Sequence, residues 1–197
     1  MNRVSFALGL ALVVAACGDD GGGVDEPQEM PVGQCDGVLH SVPQEAATHM
    51  TSGTQIEWSS NPPATGAHYP SWAGWYRLYE TLPRGNWLHN AEHGGVILLY
   101  NCPLGCPEVV DQLVEVARAA ADDDTCTAPV KKRILIAADP LLDEGTQIAA
   151  VAWNRYYTAS CFDEYLKTFI RTSYRRGPED TCADGIPFGG VPIDPPT

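Results

Sequence analysis

The sequence predicts a mixed α/β domain, and three observations support that fold class. Two unbroken apolar runs, VILLY (residues 96–100) and RILIAAD (residues 133–139), have the length and composition of strands buried on both faces. Residues 107–124 lie between them and repeat apolar side chains at helical spacing, with Pro107 in the first turn. Residues 161–176 form a second amphipathic stretch with the same spacing.

The segment that precedes these elements is irregular and rich in turn-forming residues. Within it, TQIEWS (residues 54–59) predicts a short strand, because Ile56 and Trp58 alternate with polar neighbours. NPPATGAHYP (residues 61–70) predicts turns, since its prolines fix φ and lack a backbone donor. SWAGWYRLYETL (residues 71–82) is dense in aromatic side chains, which we expect in the core or in a lid.

Five elements follow residue 95 in the order strand, helix, strand, strand, helix. The third strand is TQIAAVAWNRYYTA (residues 146–159), in which the alternation is looser. This order suits a thioredoxin-like α/β sandwich whose first crossover is parallel and right-handed. After residue 176 the chain is rich in proline and glycine, and we expect it to lie along the surface.

The N-terminus predicts export followed by lipidation. Residues 1–16 carry one charge, Arg3, and their apolar core is too short to stay in a bilayer as a helix, as in a signal peptide. VAAC (residues 14–17) resembles a bacterial lipobox, which implies cleavage before Cys17 and a lipid on that cysteine. The lipid would anchor the protein in the cell envelope, on the periplasmic or the outer-surface side. An ordinary signal peptide with a chance cysteine is the alternative.

Composition divides the remainder into three parts. Residues 17–34 are glycine-rich and acidic and predict a flexible tether behind the lipid. Residues 35–182 are long enough to form a single globular domain with a core. Residues 183–197 are a tail rich in proline and glycine.

The charge balance excludes one class of partner. The formal net charge is −13, whereas nucleic-acid binding needs clustered Lys and Arg to contact phosphates. The basic clusters at residues 131–133 and 171–176 are short, and we expect them to be solvated ends of core elements.

Six cysteines remain after Cys17, and an even number in an exported chain indicates disulfides. We expect structural bridges from Cys35, Cys126, Cys161 and Cys182, and a bridge between Cys161 and Cys182 could close the last helix onto the tail. For Cys102 and Cys106 there are two hypotheses. In the first, they join separate structural bridges, for instance to Cys35 or Cys126. In the second, they form a labile disulfide or a copper-binding dithiol.

The hypothesis of a labile disulfide or copper-binding dithiol depends on where CPLGCP (residues 102–107) lies. It falls between a predicted strand and a predicted helix, and a helix N-terminus lowers the pKa of a thiol because the thiolate faces the positive end of the helix dipole. The spacing is similar to that of the Sco-type copper chaperones, which bind copper with two thiolates and a distant histidine. In those proteins the histidine follows the cysteines, whereas here no histidine follows His93.

All five histidines, His40 included, lie before residue 94, outside the regular α/β half. In HNAEH (residues 89–93), one helical turn would place His89 and His93 on the same face, where they could grip one metal ion. Glu92 could be a third ligand, a hydrogen-bond acceptor for an imidazole, or a general base. Alternatively, the two histidines are satisfied polar residues at a strand entrance, and a lone His40 is a surface residue.

Taken alone, H-x-x-E-H is the motif of the inverzincin metalloproteases. That family needs the motif on a long helix and an additional acidic ligand on another helix. Here Gly94 and Gly95 follow at once, so we expect at most a single helical turn and do not favour peptidase chemistry.

Separate pieces of the sequence resemble a bacterial family, domain of unknown function 3105. They are THM (residues 48–50), NPPATGAHY (residues 61–69), GWY (residues 74–76), HNAEHGGVILLY (residues 89–100) and AAVAWNR (residues 149–155). The resemblance brings no reaction with it, but it implies that one set of residues belongs together: His49, His68, His89, His93 and Glu92. Imidazoles with a carboxylate suit a first-row metal ion, and imidazole favours copper or zinc.

Three hypotheses follow. The first is a lipid-anchored extracytoplasmic domain that binds copper or zinc through this histidine cluster, for metal handling or an unidentified metal-dependent reaction. The second is a thiol–disulfide redox or copper-delivery protein that uses Cys102 and Cys106. The third is a non-catalytic envelope protein whose partner is another protein.

Overall fold

The computed structural model describes residues 27–194, so the predicted signal peptide, Cys17 and most of the tether lie outside the described residues. This described part contains eight strands and three helices: β1 (Gln28–Pro31), β2 (Val38–Ser41), β3 (Arg77–Tyr79), α1 (Arg84–Glu92), β4 (Val96–Tyr100), α2 (Pro107–Ala119), β5 (Ile134–Ala138), β6 (Ile148–Ala152), β7 (Arg155–Ala159), α3 (Tyr165–Ser173) and β8 (Val191–Pro192). No helix between residues 27 and 194 combines the length and the apolarity that crossing a bilayer requires.

The strands form one mixed sheet in the order β1-β2-β7-β6-β4-β5-β3-β8. Its centre is β4, which pairs in parallel with β5 and antiparallel with β6. β3 adds to β5 in parallel, and β7 continues from β6 in antiparallel. The parallel pair β4–β5 is connected through α2, as the sequence predicts for its first crossover.

Helices cover both faces of the sheet, and successive side chains of β4 point alternately to one face and to the other. Ile97 and Leu99 belong to the apolar cluster that contains α1, whereas Val96 and Leu98 belong to the cluster that contains α2 and α3. All four side chains are fully buried, and each contributes about 1.5–3 kcal/mol of transfer free energy. The run reads as continuously apolar because β4 has no solvent-facing side.

The mixed α/β class is confirmed, and so are the strands and helices predicted after residue 95, with one exception. The prediction of a single third strand is wrong: residues 146–159 form a hairpin, β6 and β7, that turns at Trp153 and Asn154. Asn154 adopts φ +66°, a left-handed conformation that asparagine tolerates, and its side chain donates to the carbonyl of Val42 at 3.2 Å. The more specific thioredoxin-like assignment stays a prediction.

Three expectations for the N-terminal half need correction. TQIEWS forms no strand; instead Trp58 Nε1 donates to the carbonyl of Ala67 at 2.8 Å and packs its ring against the core. The predicted tether includes β1, which pairs with β2 at the edge of the sheet. Helix α1 is longer than the predicted single turn, with nine residues ending at Glu92.

The segment after α3 also does more than lie along the surface. Gly177 to Cys182, which we name the strap, crosses the C-terminal end of α1, and the chain then returns to the sheet as β8 beside β3. Ile193 is buried in the core, and the carbonyl of Ala183 accepts hydrogen bonds from the indoles of Trp72 and Trp75.

Arg133 joins the strap to the rest of the fold at the entrance to β5. Its side chain has no solvent exposure and pairs with the equally buried Asp123 through Nε and Nη2, at 2.9 and 2.8 Å. Nη1 donates to the carbonyl of His93 at 2.7 Å and contacts Asp180 of the strap at 2.7 Å. Burial alone would raise the pKa of Asp123, but hydrogen bonds from Thr125 and Arg133 outweigh it and lower that pKa to about 2.

We predict that Asp123→Asn destabilises the protein by about 3–5 kcal/mol at pH 7, because it leaves a buried guanidinium without its counter-charge. The pKa of Asp123 lies below its ordinary value of 3.8, so its contribution is present above that pH and is lost as pH falls through about 2. Urea unfolding at pH 7 and pH 3 measures both effects. Glu164→Gln, which breaks an exposed pair with Lys167, is the matched control and should cost less than about 1 kcal/mol. Equal losses in the two variants would contradict the role of Arg133.

Candidate metal centre

Helix α1 supplies two of the candidate ligands, His89 and Glu92, and His93 caps its C-terminal end; the helix is buried on nearly every side. Trp87, Leu88 and Ala91 pack into the apolar cluster on one face of the sheet. His89 and Glu92 are also buried, at 2% and 4% exposure. A buried polar residue costs free energy unless it is paired, so these side chains require partners inside the protein.

Two separate segments bring His49 and His68 to the same place. The two residues form an isolated parallel bridge, in which Met50 N donates to the carbonyl of His68 at 2.7 Å and His68 N donates to the carbonyl of Thr48 at 3.0 Å. The ring of His68 is fully buried, whereas that of His49 is half exposed. The turns of NPPATGAHYP therefore place the side chain of His68 against α1.

Backbone carbonyls fix the orientation of two imidazoles. His68 Nδ1 lies 2.9 Å from the carbonyl of Gly66, and His89 Nδ1 lies 2.7 Å from the carbonyl of Tyr69. A carbonyl only accepts, so Nδ1 carries the proton in both rings and the Nε2 lone pair is left free. Metal-binding histidines are held in this way, with the other ring nitrogen donating to a carbonyl or carboxylate.

These Nε2 atoms converge on the carboxylate of Glu92. Glu92 Oε2 lies 2.9 Å from His68 Nε2, 3.7 Å from His89 Nε2 and 4.0 Å from His49 Nε2. Donors around one tetrahedral ion with bonds of about 2.0–2.1 Å lie about 3.3 Å apart, so the observed distances bracket that value. Among the described atoms, neither His68 Nε2 nor Glu92 Oε2 has a hydrogen-bond partner. With the His68 proton on Nδ1, Nε2 has no hydrogen to donate to the ionised carboxylate.

His93 completes the predicted set, together with a residue that the sequence did not reveal. His93 Nε2 lies 3.1 Å from His89 Nε2 and 3.0 Å from Glu179 Oε2 on the strap. Gly177 permits this approach, since a Cβ there would lie 2.1 Å from the carbonyl oxygen of Glu92. Nothing in the local sequence distinguishes Glu179 from the acidic residue beside it.

Burial sets the electrostatics of the cluster. It lowers the pKa of His89 to about 4 and also lowers the pKa values of His68 and His93, so these rings are neutral. Burial, together with the charge of Glu179, raises the pKa of Glu92 to about 7. Neutral imidazoles with free lone pairs beside carboxylates form two groups that could hold a metal ion: His49, His68, His89 and Glu92, and His89, Glu92, His93 and Glu179.

The other candidate residues lie elsewhere. His40 is on β2, where its ring stacks on Tyr156 and lies 3.4 Å from Glu29. Cys102 and Cys106 follow the far end of β4, about five strand residues away from the histidines, a distance of about 17 Å at ~3.3 Å per residue. The two halves of residues 87–107 are therefore separate sites.

The disulfide pairing differs from what we expected of the structural bridges. The structure has Cys35–Cys161, Cys102–Cys106 and Cys126–Cys182. Cys161 does not bridge to Cys182, because Cys161 lies beside β2 and β7 while Cys182 belongs to the strap. Cys102 and Cys106 bond to each other and not to Cys35 or Cys126. Three disulfides indicate an oxidising, extracytoplasmic environment.

A family model described as "Protein of unknown function (DUF3105)" matches residues 49–185. The chain belongs to this family. The matched range begins at His49 and extends past Glu179, so it includes every member of the two groups that could hold a metal ion. Comparison with curated proteins gives no match, and comparison with solved structures gives none. A functional conclusion therefore depends on the geometry and the chemistry of the clustered side chains.

The geometry also bears on the inverzincin motif. The helix carrying H-x-x-E-H has nine residues, more than the predicted single turn, and Glu179 provides an acidic group beyond it. However, Glu179 lies on the strap and not on a helix. His49 and His68 also surround Glu92, a packing that the motif alone does not predict.

We predict that, in metal-free protein, His89 is neutral at pH 5.5 because burial lowers its pKa to about 4, and that burial also lowers the pKa of His68. Both neutral rings carry the proton on Nδ1, because backbone carbonyls accept from that nitrogen. Long-range ¹H–¹⁵N NMR spectra recorded from pH 4 to pH 8 identify both the tautomer and the pKa. In urea, all histidines should titrate near about 6.5, which provides the reference. A His89 that titrates near 6.5 in the folded protein would refute this description of the centre.

Proposed function

We propose that this domain binds a transition-metal ion, copper or zinc, outside the cytoplasm, through His49, His68, His89, His93 and Glu92. The observation that carries the proposal is the convergence of three imidazole Nε2 atoms on one buried carboxylate, with two of the rings oriented by backbone carbonyls. No hydrogen-bond network within the described atoms satisfies His68 Nε2 and Glu92 Oε2. A cation between them would satisfy both.

The donor set favours copper or zinc over other ions. Magnesium and calcium prefer sites built from oxygen ligands, whereas imidazole nitrogen suits zinc and copper. A bound dication would also stabilise the ionised form of Glu92, whose pKa burial otherwise raises to about 7. The ion would therefore replace a proton at this carboxylate.

The cellular role follows from the N-terminal prediction. A lipid on Cys17 and the tether after it would hold the domain at a membrane of the cell envelope, and the disulfides fit that compartment. Half-exposed His49 provides a route by which an ion could enter from solvent. We propose metal handling in the envelope, or a reaction that uses the bound ion.

We predict that the full-length protein, purified from an oxidising compartment, retains stoichiometric zinc or copper after dialysis. Glu92→Gln and His49→Ala should each weaken binding by at least about 10- to 100-fold, the loss that follows removal of even an outer partner of a ligand. Elemental analysis and calorimetric titration measure this. His40→Ala removes a histidine outside the cluster and should bind like wild type. Absence of bound metal, with no rise in melting temperature at 100 μM zinc or copper, would exclude the proposal.

A second candidate function rests on the Cys102–Cys106 disulfide. The bridge spans four residues at the start of α2, both cysteines are half exposed, and Leu104 between them is fully exposed. Closing so short a loop removes little chain entropy, about 2 kcal/mol of stabilisation, against about 4–5 kcal/mol for the loops of 56 and 126 residues. This disulfide is therefore the one best suited to exchange with a thiol of another molecule.

We predict that mild reductant opens Cys102–Cys106 before the other two bridges. Alkylation of the native protein at increasing dithiothreitol, followed by peptide mass spectrometry, should label Cys102 and Cys106 first. The Cys102→Ala/Cys106→Ala protein is the control and should show no labelling in the same range. Simultaneous opening of all three bridges would leave Cys102–Cys106 a structural bridge. If this function and metal binding both fail, a non-catalytic envelope protein is what remains.

A further inference from the structure

The two groups of donors suggest more than one ion. They share His89 and Glu92 and otherwise differ: His49 and His68 lie on one side, and His93 and Glu179 on the other. Within each group, the donor atoms lie within 4.8 Å of one another. Donors around one ion, at bonds of about 2.1 Å, are at most about 4.2 Å apart. The six donors do not all come within even 4.8 Å of one another, because they form two groups and not one, so two ions fit them better than one ion with six ligands.

We propose that the centre holds two transition-metal ions side by side, with Glu179 as a ligand of the second. This inference rests on the proposed function and extends it. His49, His68 and His89 bind the first ion, since each imidazole has one free Nε2 lone pair to give. His93 and Glu179 bind the second ion, and Glu92 bridges the two through its carboxylate, which has two oxygens and several lone pairs.

Several contacts hold Glu179 in place for this role. Its backbone N–H donates to the carbonyl of Glu92 at 3.2 Å, so the strap is bonded to the same residue that would bridge the ions. Its neighbour Asp180 pairs with buried Arg133, and Cys182 is fixed to Cys126. A loose surface acid would have none of these restraints.

His93 is suited to the second ion through the same nitrogen that now contacts Glu179. Its side chain is 3% exposed, and Nε2 lies about equally far from Glu179 Oε2 and His89 Nε2, at 3.0 and 3.1 Å. Nδ1 has no hydrogen-bond partner among the described residues, whichever nitrogen carries the proton. Binding an ion through Nε2 therefore adds no new unsatisfied group.

Stoichiometry tests the inference separately from the proposed function. Full-length protein is loaded with zinc, dialysed and assayed by elemental analysis, together with Glu179→Gln, an isosteric change at a half-exposed side chain that the fold tolerates. We expect two zinc ions per wild-type chain and one per Glu179→Gln chain. Glu144→Gln alters another exposed acid and should keep two.

Copper provides an independent readout. Two Cu(II) ions that share a carboxylate couple magnetically. The integrated electron paramagnetic resonance signal of the wild type should therefore correspond to fewer spins than the number of copper ions bound. In Glu179→Gln, signal and bound copper should agree. One ion per wild-type chain overturns the second site, and two ions per Glu179→Gln chain overturn Glu179 as its ligand; the proposed function stands in both cases. No ion in any variant overturns both.

Discussion

The buried guanidinium of Arg133 is the interaction on which the candidate centre depends. Removing a charge from water costs several kcal/mol, and that cost is offset here by Asp123, by the carbonyl of His93 and by Asp180. These partners belong to a loop, to the end of α1 and to the strap. Because Arg133 requires all three, it keeps the strap against the helix that carries the histidines, and the disulfide Cys126–Cys182 reinforces the same junction.

The sheet determines how the chemistry is distributed. β4 runs from the end of α1 to the Cys102–Cys106 loop, and its side chains are packed from both faces, so it acts as a rigid spacer. His93, with the rest of the histidine cluster, precedes its first residue, and the disulfide follows its last. The two sites at opposite ends of one strand are too far apart to share a reaction, so the proposed metal binding and the proposed disulfide exchange are independent of each other.

Helix α1 shows why sequence periodicity predicted too short a helix at the candidate site. A surface helix shows an apolar stripe, and such a stripe predicted α2 and α3 well. α1 is enclosed on all sides, and polar residues such as His89, Asn90 and Glu92 take up much of its buried surface. Tertiary partners satisfy some of them: Asn90 bonds to both the N–H and the carbonyl of Ala73, and His89 Nδ1 donates to the carbonyl of Tyr69. No local pattern indicates a helix of that kind, so the prediction of a single turn before Gly94 and Gly95 missed that α1 begins at Arg84.

The sequence by itself determined the α/β class, the strands and helices after residue 95 other than the β6–β7 turn, and the membership of the histidine cluster. Local periodicity encodes the fold elements, whereas the membership of the cluster was implied by the resemblance of the motifs around His49, His68 and HNAEH to a known family. Only the tertiary structure decided the disulfide pairing and the inclusion of Glu179. Those features arise from contacts between segments far apart in the chain, such as the close approach of Gly177 to the carbonyl of Glu92, and no local pattern of residue types specifies them.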